Sequence, residues 1–289
     1  VGLCPLHADR RPSFLIDPGK NLFYCYGCGR GGDVIRLVEI SHGVAFAQAV
    51  AILRRWSGAN TLLSDVIRFY QFQLPRHLEA VAYLAQRGVR QPEVVEQMRI
   101  GYAPGRCLRA WLMRLGYSLE DLQRAGVVSS AGLDTMAHRV VFPLEANLYG
   151  RSLGRAHPHR LLPGSKGGLY GWQHVHGCRE LVLVEGLFDW ATLWQAGFRH
   201  VTCALGTSLN ATQFRQLCDG AAPTVYLAFD SDANGSGQRA ARQLAERLRA
   251  HGREAFPVEL PDGHDPTSFF VQGGGDAHQF QALLERARS

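Results

Sequence analysis

The stretch Val225-Tyr-Leu-Ala-Phe-Asp-Ser-Asp-Ala-Asn-Gly235 decides the reading of the chain. An apolar run that ends in Asp-x-Asp and then in small residues predicts a buried strand stopping at a turn, with carboxylates where the sheet opens to solvent. Asp230 and Asp232 are two apart, so in extended backbone they project to the same side. Such a pair suits Mg²⁺, which dehydrates reluctantly and binds through one or two carboxylates plus substrate phosphates. It equally suits an ordinary polar turn, because Asp, Asn and Gly are turn residues.

The surrounding sequence gives this strand its partners. Arg179-Glu-Leu-Val-Leu-Val-Glu-Gly186, His200-Val-Thr-Cys-Ala-Leu205, Thr224–Phe229 and Phe256-Pro-Val-Glu-Leu260 read as strands, with helices over 187–196, 211–218 and 238–250 between them. Alternation at this spacing means βαβ units and a parallel sheet covered on both faces. Ligands of such sheets sit beyond the carboxyl ends of the strands, where Glu185, Gly206, Asp230 and Asp232 fall. A glutamate from one strand and two aspartates from another make a stronger constellation than either alone. Glu185 has the chemistry of a general acid or base or of a metal ligand, and crowded like charges need a cation to be tolerated.

The front of the chain carries a different chemistry. Of seven cysteines in 289 residues, three stand in two short pairs, Cys4-Pro-Leu-His7 and Cys25-Tyr-Gly-Cys28. Zinc takes four N/S ligands in a tetrahedron, and two such pairs on facing turns supply them. With four protein ligands the site is closed and structural. Strands over 12–16 and 21–26 flank the turn Asp17-Pro-Gly-Lys20, and helices are expected over 33–40 and 45–53. So small a sheet buries too little to stand alone, so zinc contributes to its folding. Phe14, Phe23, Tyr24 and Tyr26 serve either as ribbon core, favoured for most of them, or as stacking platforms for unpaired bases.

Between these ends, Ser57–Asn60 breaks the helical pattern, a helix over 62–72 bridges onward, and amphipathic packing helices run from 78 to 125. His138–Leu144 and Gly150–Arg155 read as a strand pair. Arg139, Arg151, Arg155, Arg160 and Lys166 then form either a groove that tracks phosphates or a solvated sheet face. The net charge of +6 is unevenly placed: basic residues exceed acidic ones by three over 1–60 and by six over 76–178, and fall short by three over 179–289. A basic front and an acidic, metal-ready rear suit a polyanion held on one part and worked on by another. No uninterrupted apolar run approaches a membrane span and the start lacks signal-peptide character, so the cytoplasm is the expected compartment.

The runs C-P-L-H-A-D-R-R-P-S-F and K-N-L-F-Y-C-Y-G-C-G-R-G-G-D-V-I-R-L-V resemble the CHC2 zinc ribbon that opens bacterial DnaG-type primases. Leu84-x-x-Arg-Gly88, Ile100-Gly-Tyr-Ala-Pro104, Arg139-Val-Val-Phe-Pro143 and Leu169-Tyr-Gly171 resemble landmarks of the N-terminal part of the primase polymerase domain. Val-Glu-Gly-x-x-Asp, Ala-Leu-Gly-Thr and Phe-Asp-Ser-Asp-Ala-Asn-Gly resemble the Toprim fold, Rossmann-like with a parallel sheet. The resemblance places Glu185 and Asp189 in its first motif, Asp230 and Asp232 in its second, and Asp265 in a primase-specific segment whose next acid is Thr267 here. It also departs where a Pro-Lys-Tyr-Leu-Asn-Ser-Pro segment is expected and Pro158-His-Arg-Leu-Leu-Pro-Gly164 stands.

The expected architecture is therefore α/β with a zinc ribbon over 1–56, a connector helix over 57–75, a mixed α+β subdomain over 76–178 and a Toprim domain over 179–289. The resemblance implies a DNA primase that makes short RNA primers on single-stranded DNA from ribonucleoside triphosphates, in the setting of a replicative helicase. Glu185, Asp230 and Asp232 are its expected catalytic residues. Glu185, Asp189, Asp230, Asp232 and Asp265 are the expected ligands of Mg²⁺ or Mn²⁺, and Cys4, His7, Cys25 and Cys28 those of one zinc. The alternatives are a non-catalytic single-strand DNA-binding module and a Toprim nuclease. The length points to a plasmid, phage or mobile-element enzyme, or to a truncated form.

Overall fold

The structure is a computed structural model and describes residues 1–56, 61–154, 158–231 and 234–289. The break expected at Ser57–Asn60, the candidate phosphate contact Arg155 and the candidate ligand Asp232 lie outside the described residues.

The chain divides into two compact units, residues 1–69 with 103–137 and residues 70–102 with 138–289. The first begins with an antiparallel ribbon of β1 (Phe14–Asp17), β2 (Leu22–Cys25) and β3 (Gly31–Asp33). Helix α1 (Val34–His42) starts where the Asp33 carboxylate accepts the Arg36 amide, and stops where Gly43 turns left-handed at φ 64°. Next come α2 (Phe46–Trp56) and α3 (Thr61–Gln73), which runs across the boundary between the units. The ribbon core is small: Phe14 stacks on Phe23 at 5.4 Å between centroids, beside Cys4 and Cys25. Tyr24 and Tyr26 stand outside it, 44% and 75% exposed.

In chain order there follow α4 (Leu78–Gln86), α5 (Pro92–Gln97), β4 (Gly101–Ala103), α6 (Leu108–Arg114) and α7 (Leu119–Arg124). The last two helices belong to the first unit, where the Tyr117 hydroxyl donates to buried Asp65 at 2.8 Å. In the second unit β5 (Arg139–Pro143), β6 (Leu148–Ser152) and β7 (Arg160–Leu161) extend from β4 in the order β4-β5-β6-β7.

The remainder is the parallel sheet. After α8 (Trp172–Val175) come β8 (Glu180–Val184), α9 (Leu187–Gln195), β9 (Val201–Cys203), α10 (Ala211–Asp219), β10 (Thr224–Ala228), α11 (Ser236–Ala250) and β11 (Glu254–Pro257), then α12 (Pro266–Val271) and α13 (Ala277–Arg288). The strand order is β11-β10-β8-β9, all parallel, with Val184 opposite Ala228. Side chains alternate across the sheet. Val182, Val184, Tyr226 and Ala228 enter a core with α9 and α13, and Leu181, Leu183, Val225 and Leu227 one with α10 and α11. Side-chain caps start some of these helices: Asn210 and Gln213 form a capping box on α10, and Asp265 caps α12. No helix among the described residues is long and apolar enough to cross a membrane.

Candidate active site and metal centres

The carboxylates meet where the parallel strands stop. Glu185 follows β8, and its Oε1 accepts the Asp230 backbone N–H, at the end of β10, at 3.1 Å. The Glu185 carbonyl is itself held, by the Gly206 amide at 2.9 Å and the Cys203 thiol at 3.3 Å. Asp189 lies in the first turn of α9, where its Oδ2 accepts the Gly186 amide at 3.1 Å. Its Oδ1 accepts both the amide and the hydroxyl of Thr267, at 3.0 and 2.7 Å. The turn after Asp230 is tied to the segment before α12, since the Ser231 amide donates to the His264 carbonyl and the Gly263 amide to the Ser231 carbonyl. Glu185, Asp189, Asp230 and Asp265 thus line one cavity of about 310 Å³.

Only glycine fits the floor of this arrangement. A Cβ on Gly237, in the first turn of α11, would lie 2.4 Å from the Asp230 carbonyl and 2.8 Å from Glu185 Oε1. Burial and neighbouring charge both act on this cluster. Burial, then the Asp265 and Asp230 charges, push the Asp189 carboxyl up to about 7, against the Thr267 hydrogen bonds. Clustered oxygen donors that repel one another fit a hard divalent ion, so the donor set suits the implied metal.

The four described basic residues take different places. In the β5–β6 register Val140 faces Arg151 and Arg139 faces Ser152, so Arg139 and Arg151 point to opposite faces of the sheet. Arg160 pairs with Gly150 and shares the Arg139 face. Arg139 is buried and its Nε donates to the Pro158 carbonyl at 3.1 Å, while Arg160 is exposed. Arg151, with Tyr149 and Leu161, lines the carboxylate cavity. Lys166 lines a separate cavity of about 740 Å³, and its ammonium donates to the carbonyls of Ala204, Leu205 and Ser208 at 2.9–3.2 Å. Burial pushes that ammonium's pKa down.

One cavity residue was not singled out by charge or spacing. Arg87, just past α4, lies in the carboxylate cavity with its guanidinium 4.4 Å above the Phe188 ring. The Leu84-x-x-Arg-Gly88 landmark contains it, but helical periodicity assigns it only to an amphipathic helix end.

In the first unit, the ligand atoms of Cys4, His7, Cys25 and Cys28 lie within 4.8 Å of one another. Cys4 Sγ to Cys28 Sγ and Cys25 Sγ to His7 Nδ1 are both 4.0 Å. A tetrahedron with zinc–sulfur bonds of about 2.3 Å has edges of about 3.8 Å, so the cluster is already at zinc dimensions. Amides of Leu6 and Cys28 point at the Cys4 and Cys25 sulfurs, each at 3.4 Å. Burial would raise the Cys25 thiol, but the Ser13 hydroxyl, the Cys28 amide and the neighbouring thiols hold it at about 6, favouring thiolate.

Fold and sites together define a zinc-ribbon protein with a mixed middle region and a Toprim-type core. Residues 1–68 match the CHC2 zinc finger, 69–155 the N-terminal domain of the DNA primase catalytic core, and 182–270 the Toprim-like family. The DNA primase of Chlamydia trachomatis serovar D is 30% identical over 98% of this chain and 53% of its own length. That of Aquifex aeolicus is 29% identical over 99% of this chain and 65% of its own. The chain spans about half the length of the first of these relatives. A crystal structure of the zinc-binding and RNA polymerase domains of the Aquifex aeolicus primase superposes with a TM-score of 0.69 at 27% identity, covering 98% of this chain and 77% of that one. A DnaG primase catalytic domain bound to single-stranded DNA gives 0.65 at 30% identity, covering 78% of this chain and 80% of that one. The chain belongs to the DnaG-type DNA primase family.

Two outcomes follow from the geometry. Gly237→Ala is expected to destabilise the protein by ~1–3 kcal/mol through overpacking, whereas Gly177→Ala, with open space around its Cβ, stays within ~0.5 kcal/mol. Urea unfolding of both variants checks this, and equal midpoints would refute the close fit. Removing zinc with a strong chelator is expected to collapse the amide dispersion of residues 1–56 in NMR spectra; an unchanged ribbon would exclude a structural metal.

Proposed function

We propose that this chain is a DNA primase, joining ribonucleoside triphosphates into short RNA primers on a single-stranded DNA template. The observation that carries this reading is one cavity holding Glu185, Asp189, Asp230 and Asp265 together with Arg87 and Arg151. Carboxylates for a cation and guanidinium groups for phosphates are the two halves of a phosphoryl-transfer site. Glu185, Asp189, Asp230, Asp232 and Asp265 would hold Mg²⁺ or Mn²⁺, which supplies charge neutralisation at the transferred phosphoryl group and at the departing pyrophosphate.

The protein's own groups do the rest. Arg87 and Arg151 bind triphosphate oxygens, each guanidinium offering planar paired donors. Glu185 accepts the proton of the primer 3′-hydroxyl as its oxygen bonds to the α-phosphorus and the bond to pyrophosphate breaks. Asp230 and Asp232 complete the catalytic set. Along the template, Arg155 and Arg160 meet phosphates, Arg139 holds the Pro158 backbone, and Lys166 fixes the 204–208 segment. Cys4, His7, Cys25 and Cys28 hold one structural zinc, and exposed Tyr24 and Tyr26 offer the ribbon's stacking surface.

The four-segment division at 56, 75 and 178 is the functional division we propose, with a replicative helicase as partner and the cytoplasm as compartment. The DnaG domain solved with single-stranded DNA supports the template reading. Asp230→Ala is expected to lower primer synthesis by roughly 100-fold or more while leaving template affinity nearly unchanged. Gel analysis of radiolabelled primers beside a fluorescence-anisotropy titration checks it. Wild-type chain that shifts DNA yet makes no dinucleotide would instead establish a binding module.

A further inference from the structure

Thr267 stands at the second turn-forming position of α12, 5% exposed, and spends both of its donors on a single atom. That atom is Oδ1 of Asp189, itself 5% exposed. A carboxylate oxygen offers two lone-pair sites, so Oδ1 is saturated. The other oxygen, Oδ2, takes the Gly186 amide, which leaves one lone-pair site on that side. The consequence extends along a chain of hydrogen bonds. Thr267 fixes Asp189, Asp189 fixes the amide of the Glu185–Gly186 turn, and Glu185 receives the backbone of Asp230.

We infer that Thr267 is a positioning residue for the carboxylate site: it anchors Asp189 through Oδ1 and leaves Oδ2 as the only oxygen with which Asp189 can meet a cation. The inference rests on the cation-binding reading of this cavity. Thr267 contributes no charge and no ligand. It supplies the two donors that let a carboxylate sit buried beside Asp230 and Asp265, and it selects the geometry in which Asp189 presents itself. A serine can replace it, since the amide and a hydroxyl remain. A valine, of the same shape, keeps the amide and loses the hydroxyl, so Oδ1 recovers a lone pair and the carboxylate can rotate.

The test measures Mn²⁺ affinity of the full chain by electron paramagnetic resonance of the free ion, alongside primer synthesis and thermal unfolding. Thr267→Val is expected to bind Mn²⁺ roughly tenfold or more weakly, with Thr267→Ser close to wild type. Wild-type affinity in folded Thr267→Val overturns the inference, even where its unfolding temperature falls, because a merely structural side chain would show that pattern. Should the valine variant not fold, a crystal structure of the wild-type protein with Mn²⁺ decides. Contact through Oδ2 with Oδ1 still on Thr267 supports the inference, and contact through Oδ1 overturns it. Asp230→Ala is measured in parallel to separate the two readings. Undiminished Mn²⁺ binding there removes the cation site itself, and Thr267 with it. A wild-type chain that binds Mn²⁺ but makes no primer removes primer synthesis alone, and the Val-to-Ser comparison still decides the role of Thr267.

Discussion

The hydrogen bond from the Asp230 amide to Glu185 Oε1 joins the ends of two adjacent parallel strands, and the placement of the strand-end carboxylates depends on it. It exists because β8 and β10 run in register to their last residues, Val184 beside Ala228, so that both chains leave the sheet at the same level. Gly237 then packs against both groups with no room for a methyl. Strand pairing, buried on both faces, brings the carboxylates to the rim of one cavity. The helices follow from this. Helix α9 begins directly after the Glu185–Gly186 turn and α12 begins at Asp265, so each helix start also delivers a carboxylate.

Such a concentration of acids is unfavourable by itself. Burial first, and the charges of Asp265 and Asp230 after it, push the Asp189 carboxyl up, and the structure meets that cost in two ways. Thr267 and Gly186 satisfy Asp189 with neutral donors, and Arg87 and Arg151 bring positive charge to the same cavity. The β5–β6 register sends Arg151 toward the carboxylates and Arg139 away from them, so two arginines in one hairpin have different tasks. The zinc ribbon shows the same logic with softer ligands. Its apolar core holds little beyond Phe14 and Phe23, and four metal-ready side chains take the place of a larger core.

Much of this was legible in the sequence because the signals were local. The apolar run ending at Asp230, the glutamate ending β8 and the paired Cys/His spacings each report a strand end or a knuckle within a few residues. The elements missed are those whose cause is distant. Strand β3 is Gly31-Gly32-Asp33, with no β-forming side chain, and exists only by pairing with β2. Strand β4, Gly101-Tyr-Ala103, is likewise made by its neighbours in the sheet. The fourth parallel strand was expected over 256–260 and lies at Glu254–Pro257, since pairing with Thr224–Leu227 sets its register. Alternating charge leaves a phosphate-tracking groove and a solvated sheet face equally open, because spacing cannot tell which of two sheet faces an arginine takes, or that Lys166 is engaged by three carbonyls. Periodicity gave the helices of 78–125 an apolar face without saying which core receives it. The structure divides them between the two units.

On the proposed function, the strand-end carboxylates hold a divalent ion. Affinity cleavage tests it most directly: Fe²⁺ is substituted for Mg²⁺, and ascorbate with peroxide generates hydroxyl radicals that cut the backbone beside the bound iron. Cuts are expected to cluster at Glu185, Asp230 and Asp265 and to be suppressed by excess Mg²⁺. Cleavage confined to other parts of the chain, or a pattern indifferent to Mg²⁺, would contradict it.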